Sequence, residues 1–82
     1  MIVTVVGKKK GYFPNENGEA VEYAKLYCLC PPPKGDGNTY DGLVPDSYSM
    51  LPVFYDDVLV DNCKYDIGTN SKGKIIAIEL VN

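Results

Sequence analysis

AVEYAKLYCLC (residues 20–30) alternates with the two-residue period of a β-strand, and this alternation predicts the fold. Residues i and i+2 of a strand share a face. The small and apolar side chains fall on one face: Ala20, Ala24, Leu26, Cys28 and Cys30, interrupted by Glu22. The larger, amphipathic side chains fall on the other face: Val21, Tyr23, Lys25, Tyr27 and Leu29. The first face suits a barrel interior, where free cysteine acts as a small hydrophobe, so the second must point outwards.

This strand belongs to the first of two predicted hairpins. Residues 2–13 precede it and are rich in β-branched and aromatic side chains, with Gly7 and Gly11 where a strand bulges or bends. The intervening residues 14–19 contain an Asn-Gly pair, which is typical of hairpin turns because both residue types tolerate positive φ. The second hairpin is predicted at the end of the chain, with strands at 63–69 and 74–81 and with Gly73 as the left-handed residue of the turn between them.

The middle of the chain is less regular. Residues 31–42 are predicted to be a loop, because the prolines cannot donate ladder hydrogen bonds and the Gly, Asp and Asn residues offer no packing face. Residues 43–61 leave three alternatives: a short strand at PVFY, a short strand at VLV, or one helical turn opened by Asp46 or Ser47. We expect a single all-β domain over residues 1–82, closed as a small curved barrel, with an open sheet as the alternative.

Catalysis and metal binding lack their usual residues in this chain. It contains no histidine, so the common nucleophilic constellations have no base, and we expect no enzyme activity. A zinc site normally takes four Cys or His ligands, and Cys63 is the one further thiol beside Cys28 and Cys30. Copper(I) accepts fewer ligands, so a copper site remains an alternative. We expect the cysteines to fill the core, and we expect no metal and no cofactor.

Cysteine number and the start of the chain favour a cytoplasmic protein. Three cysteines cannot form a closed set of disulfides, so we expect free thiols and a reducing compartment. The first residues do not have the pattern of a secretory signal, because the lysines follow the short apolar run instead of preceding it. No segment is long and apolar enough for a membrane span, and we expect no membrane partner.

Charge is unevenly distributed along the sequence. The net charge is −3, with every positive side chain a lysine. Residues 1–34 hold five lysines against three glutamates, residues 35–66 hold seven aspartates against one lysine, and residues 67–82 hold two lysines against one glutamate. The ends are therefore mildly basic and the middle is strongly acidic, so the net charge alone does not exclude a local anion-binding surface.

Tyrosine and lysine alternate on the outward face of residues 20–30. Tyr23, Lys25 and Tyr27 share that face, and we expect Lys8, Lys10 and Tyr12 of the preceding strand to face the same way. Such a surface suits single-stranded nucleic acid, because aromatic rings stack on bases at about 1–3 kcal/mol each and lysines neutralise phosphates. The alternative is that these are ordinary strand and surface residues.

Three segments resemble the small helix-destabilising, single-stranded DNA-binding proteins of filamentous phages and related mobile elements. They are the start MIVTVV, the hairpin ending in YAKLYCLC, and the closing KYDIGTNSKGKIIAIELV. The resemblance implies a five-stranded OB-like barrel made of two hairpins with a loop-rich middle. It also implies a homodimer that coats single-stranded DNA cooperatively and without sequence preference, as in DNA replication. The sequence leaves the choice between DNA and RNA open.

The resemblance also implies a set of binding residues, because proteins of this family use outward aromatic and basic side chains. Residues of matching type here are Tyr12, Tyr23, Lys25, Tyr27, Lys72 and Lys74. On charge alone, Lys8, Lys9 and Lys10 join the predicted nucleic-acid-binding residues. The chain departs from the family in lacking arginine and in its acidic middle. The alternative function is a non-catalytic protein-interaction module that uses the exposed tyrosines and the acidic loop.

Overall fold

The computed structural model describes residues 1–81 and contains five strands that close into a mixed β-barrel. The strands are β1 (Ile2–Pro14), β2 (Ala20–Cys30), β3 (Val44–Met50), β4 (Cys63–Thr69) and β5 (Ile75–Leu80), with a 3-10 helix at Pro52–Asp57. Their order around the barrel is β1-β2-β3-β5-β4, and β4 pairs with β1 to close it. The prediction of a small all-β, OB-like barrel built around two hairpins is confirmed.

The barrel interior is lined by one face of each strand. The largest fully buried side chains are apolar or thiol: Leu26, Met50, Ile75, Val3, Val5 and Cys28. Cys28 and Cys30 are 1 % and 6 % exposed, with their Sγ atoms 3.6 Å apart, which confirms that both thiols point inwards. Full burial of a side chain such as Leu26 contributes about 1.5–3 kcal/mol, so this row of residues fixes the register of β2.

The β1–β2 hairpin extends beyond the barrel. β3 ends at Met50 opposite Ala24, and β4 pairs with β1 only as far as Val5. Residues 11–14 and 20–23 therefore pair only with each other in the described part of the chain. We call this two-stranded extension, residues 11–23, the ribbon. Since isolated hairpins are marginally stable, the ribbon is held mainly by its continuity with the barrel.

The turn at the tip of the ribbon differs from the prediction in one detail. Gly18 has a positive φ of 77°, whereas Asn17 does not adopt the left-handed conformation. The Gly18 N–H donates to the Asn15 carbonyl, and the Asn15 N–H donates to the Glu19 carbonyl. This is the three-residue hairpin loop in which one left-handed glycine follows a tight turn, so only the glycine needs positive φ.

A β-bulge in β1 changes which side chains face outwards. The register shifts between Val5, which lies opposite Cys28, and Gly7, which lies opposite Tyr27. The extra residue, Val6, inverts the alternation, because a shift of one residue moves every later side chain to the other face. Beyond the bulge, odd-numbered residues of β1 therefore share the face of Tyr23 and Tyr27, and even-numbered residues take the opposite face.

The uncertain middle of the chain contains a strand followed by a short helix. β3 covers Val44–Met50, so the prediction of a helical turn opened by Asp46 or Ser47 is wrong. The predicted strand at PVFY is also wrong, because those residues lie in the 3-10 helix, where Pro52 at the start supplies a helical φ. VLV forms no strand, although Val58 is buried in the core. Within residues 1–81, no helix has the length and apolar character to cross a membrane.

Candidate nucleic-acid interface

The outward side of the β1–β2 hairpin carries aromatic and basic side chains together. Cross-strand pairing sets Lys9 opposite Lys25, Gly11 opposite Tyr23 and Gly7 opposite Tyr27. Residues directly opposite each other on antiparallel strands share a face. We call this surface the tyrosine face, and it consists of Lys9, Phe13, Tyr23, Lys25 and Tyr27. It contains four of the nine residues predicted to bind nucleic acid.

Tyr23 lies against the neighbouring strand at the centre of this face. A Cβ atom built on Gly11 would come within 3.1 Å of the Tyr23 hydroxyl and Cε1 atoms. A side chain at position 11 would therefore push the ring away, and glycine is what allows the close approach. The Phe13 ring centroid lies 5.9 Å from that of Tyr23 at an interplanar angle of 54°, and the Lys9 Nζ lies 5.7 Å from the Tyr23 centroid.

This arrangement gives Tyr23 a fixed orientation with a cation and an aromatic ring beside it. An aromatic pair contributes about 0.5–1.5 kcal/mol beyond the burial of its area, and a cation near a ring contributes about 0.5–1 kcal/mol at an exposed site. A ring that is already ordered loses less side-chain entropy when a base stacks on it. The geometry therefore suits a stacking platform.

The tyrosine face continues on to β3. Lys25 is half-buried and lies opposite Ser49, while the exposed Tyr27 lies opposite Ser47. The serines are small, so they leave the tyrosine and lysine side chains standing above the sheet. In OB-like barrels, the surface of the second and third strands is the side that binds oligonucleotides.

A cleft of about 400 Å³ opens beside Tyr23. It lies between the ribbon and the turn that joins β4 to β5, which we call the second turn (residues 70–74). Its lining residues come from the ribbon, the end of β3, the start of the 3-10 helix and the second turn: Phe13, Val21, Glu22, Tyr23, Ala24, Ser49, Met50, Pro52, Asn70, Lys72 and Lys74. Tyr23 thus belongs to both the tyrosine face and the cleft, and the cleft brings it together with the two predicted lysines of the second turn.

Asn70 shapes the second turn and so positions these lysines. Its Oδ1 atom accepts hydrogen bonds from the backbone N–H groups of Lys72 and Lys74, each at 3.0 Å. Gly73 has a φ of 78°, as predicted for the left-handed residue of this turn. The backbone N–H groups of Lys72, Gly73 and Lys74 all donate within the turn, which leaves the lysine ammonium groups as the charged elements that it offers to a ligand.

Lys8, Lys10 and Tyr12 do not share the tyrosine face, so that expectation is wrong. The bulge turns all three to the opposite side of β1, where Lys8 donates a 2.7 Å hydrogen bond to the Tyr55 carbonyl. The Nζ atoms of Lys8 and Lys10 lie 4.3 Å and 4.9 Å from the Tyr55 ring centroid, and Lys10 is 4.0 Å from Asp56. The two lysines therefore attach the 3-10 helix to β1. Tyr12 is 68 % exposed on the same side.

The acidic middle segment is organised by its own short-range contacts. The Asp36 carboxylate accepts hydrogen bonds from the Tyr40 hydroxyl and, at 2.9 Å, from the Asn38 N–H. The bond from Tyr40 is the larger cause, and together these bonds lower the pKa of Asp36 below its ordinary value. Residues 33–43 of this segment are all exposed.

The thiols have the character of core residues. Burial, followed by the hydrogen bond with Cys30, raises the pKa of Cys28 to about 12, which keeps it protonated and unreactive at neutral pH. Burial likewise raises the pKa of Tyr48 to about 12. Within residues 1–81, the structure holds no cluster of three or more Cys, Asp or Glu side chains suited to a metal ion.

Sequence reasoning missed several residues of this site, notably Phe13, Glu22 and Asn70. The bulge concealed Phe13, because unbroken alternation puts it inwards. A signal for Asn70 was present: the sequence N-x-x-G-x occurs at residues 15–19 and again at 70–74, with the glycine of each in the left-handed region. Nothing in the sequence indicated Glu22, since its place beside the cleft depends on where β3 ends.

No protein family, curated protein or solved structure matches this chain in the comparisons with known proteins.

Proposed function

We propose that this protein binds single-stranded DNA without strong sequence preference, stacking bases on Tyr23 and Tyr27 and neutralising phosphates with lysines. The observation that carries the proposal is the position of Tyr23, which joins the tyrosine face to the cleft bordered by Lys72 and Lys74. The strand order of the barrel supports it, because OB-like barrels bind oligonucleotides at this surface and these loops. The resemblance to phage single-stranded DNA-binding proteins points the same way.

The charges available to a DNA strand are limited to four lysines in this proposal: Lys9, Lys25, Lys72 and Lys74. Lys8 and Lys10 are excluded because they are engaged with Tyr55. Single strands give a salt slope of about −0.7 per phosphate neutralised, so four contacts predict a slope of roughly −3. Electrostatic attraction of this size is modest, and stacking has to contribute a large share of the affinity.

Other parts of the proposal rest on the resemblance and on the sequence. A homodimer that coats the strand cooperatively during DNA replication follows from the resemblance. Location in the cytoplasm agrees with three free cysteines. RNA is included as a possible ligand, because base stacking and phosphate neutralisation do not depend on the sugar. We propose no catalytic activity.

Tyrosine fluorescence tests the proposal directly, because the chain has seven tyrosines and no tryptophan. Oligothymidine should quench the signal to saturation at low salt, and added salt should weaken binding with a slope near −3. Tyr23→Ala should weaken binding by about tenfold, within the range expected for one lost base stack. Tyr12→Ala is the matched control: it removes an exposed tyrosine of the same ribbon from the opposite face and should leave the affinity unchanged.

Two results would count against single-stranded DNA binding. A flat titration at low salt would contradict the proposal and leave the exposed tyrosines as a protein-binding patch. Equal losses for Tyr12→Ala and Tyr23→Ala would show that the tyrosine face is not the binding surface.

Neutralising Asp36, Asp41 and Asp46 to asparagine distinguishes the two candidate functions. It should preserve or strengthen DNA binding, whereas a protein-interaction module that attracts a basic partner through this loop would be weakened.

A further inference from the structure

The cleft contains one carboxylate among its lining residues. Glu22 is next to Tyr23 on β2, and Lys72 and Lys74 of the second turn line the same cleft. A cleft that bound only phosphate would gain nothing from a negative side chain. The combination of a ring, two cations and one hydrogen-bond acceptor instead fits a whole nucleotide, with the base and the phosphate in different parts of the cleft.

The end of β3 is what exposes Glu22 to the cleft. Met50 is the last residue of β3 and lies opposite Ala24, so residues 20–23 of β2 have no partner on that side within residues 1–81. Glu22 and Tyr23 point to opposite faces of the ribbon, but both border this free edge. A base stacked on Tyr23 at the edge therefore has the Glu22 carboxylate within the same cleft.

Glu22 is also free of internal partners. No salt bridge joins it to Lys72, to Lys74 or to any other cation of residues 1–81, and it takes part in no side-chain hydrogen bond described there. An ionised carboxylate accepts hydrogen bonds and donates none. Its favourable partners are amino groups, such as N4 of cytosine, whereas the O4 carbonyl of thymine or uracil repels it.

We infer that Glu22 gives this site a preference for bases that carry an exocyclic amino group over bases that carry a carbonyl at the same position. The inference rests on the proposed function and deepens it: the tyrosine face accepts any base, and the cleft favours one class of base. Single-stranded bases are open to such recognition because their Watson–Crick edges are unpaired.

Oligodeoxycytidine and oligodeoxyuridine of equal length test the inference, because the two bases have the same ring size and neither has a methyl group. At pH 7.5 the wild-type protein should bind the cytidine strand about fivefold more tightly, as expected for one charge-assisted hydrogen bond at an exposed site. Glu22→Gln should bring the ratio close to one, mainly by strengthening uridine binding, because an amide can also donate to a carbonyl.

Glu16→Gln is the matched control. It removes the same charge from the tip of the ribbon, outside the cleft, and should keep the fivefold ratio. Equal wild-type affinity for the two strands, or an unchanged ratio in Glu22→Gln, would overturn the inference and leave the proposed function standing. A parallel fall in the ratio for Glu16→Gln would also overturn it, because net charge would then be the cause. Absence of binding to both strands would overturn the proposed function itself.

Discussion

The two hairpin turns of this protein have the same backbone and opposite charge. Residues 15–19 (NENGE) and 70–74 (NSKGK) each begin with an asparagine whose Oδ1 atom accepts two backbone N–H groups, two and four residues further on. In each, a left-handed glycine stands fourth. The first turn carries Glu16 and Glu19, and the second carries Lys72 and Lys74.

The difference shows that conformation and charge are determined by different positions in these loops. Asparagine and glycine fix the backbone because one supplies a local acceptor and the other tolerates positive φ. The remaining positions are free of that constraint and determine what the turn attracts. Lys72 and Lys74 border the cleft, whereas Glu16 and Glu19 lie outside it, at the end of the ribbon. The structure thus offers an internal control for any claim about charge.

The largest expected effect is a loss of stability at alkaline pH, because the groups that titrate there lie in the barrel to which both turns belong. The pKa of Cys28 rises from 9.0 to about 12 on folding, and that of Tyr48 from 10.0 to about 12. Both groups ionise more easily in the unfolded chain, so their contribution to stability is complete below about pH 9 and is lost as the pH rises to 12. Urea denaturation at pH 8 and 10.5 measures this loss, which should be smaller in Cys28→Ala. Equal stability at the two pH values would contradict it.

Charge reversal of the second turn is expected to have the next largest effect. Lys72→Glu with Lys74→Glu gives this turn the sign of the first, and the affinity for oligothymidine should fall about 30-fold, or about 2 kcal/mol. The size of the salt slope should also decrease. Fluorescence titration measures both quantities.

A second double variant controls for net charge. Lys34→Glu with Lys64→Glu changes the charge of the protein by the same amount at two exposed lysines outside the cleft. It should keep the affinity within about threefold, since exposed charges more than about 10 Å from the ligand are largely screened at 0.1 M salt. Equal losses in the two double variants would mean that the position of the lysines does not matter, contrary to the proposed site.

Removing the asparagine of each turn should show how strongly the stability of the protein depends on that turn. Asn70→Ala leaves two backbone N–H groups without their acceptor and should lower the free energy of unfolding by about 1–2 kcal/mol. Asn15→Ala removes the same two bonds but should cost less than half as much, because the ribbon tip can open locally while the barrel stays folded. Urea denaturation of the two variants gives the comparison. Equal costs would show that the ribbon and barrel unfold as one unit.

Neutralising the first turn should have the smallest effect. Glu16→Gln with Glu19→Gln removes two negative charges from the exposed tip of the ribbon and should raise the affinity for oligothymidine by about twofold or less. The same titration at low salt measures this. A gain larger than about fivefold would indicate that the first turn lies on the path of the DNA strand, and would end its use as a control.

Local patterns predicted the two hairpins, because each is determined by neighbouring residues. Alternation placed Cys28 and Cys30 inside, and Gly73 in its turn was identified from sequence alone. β3 was not predictable in the same way. Its residues include Pro45, Asp46 and Ser47, which are poor strand formers, and the strand forms because the edge of β2 pairs with it over its whole length.

The composition of the site was predicted only in part, and a single residue explains most of the error. Tyr23, Lys25 and Tyr27 lie together because β2 alternates without interruption. Lys8 and Lys10 were assigned to the wrong side because the bulge at Val6 reverses the alternation of β1, and the sequence does not mark which residue is extra. The cleft could not be predicted locally, because its lining residues come from the ribbon and the second turn, which are far apart in the sequence.

The bulge at Val6 also has a consequence for how this surface can evolve. Loss of this single codon would remove the bulge, because Gly7 would then follow Val5 directly and continue the regular pairing with β2. Residues 7–14 would keep their present partners and faces, so Lys9 would stay on the outward surface and Lys8 and Lys10 would stay beside the 3-10 helix. The bulge thus marks a position where β1 can lose a residue without altering either surface.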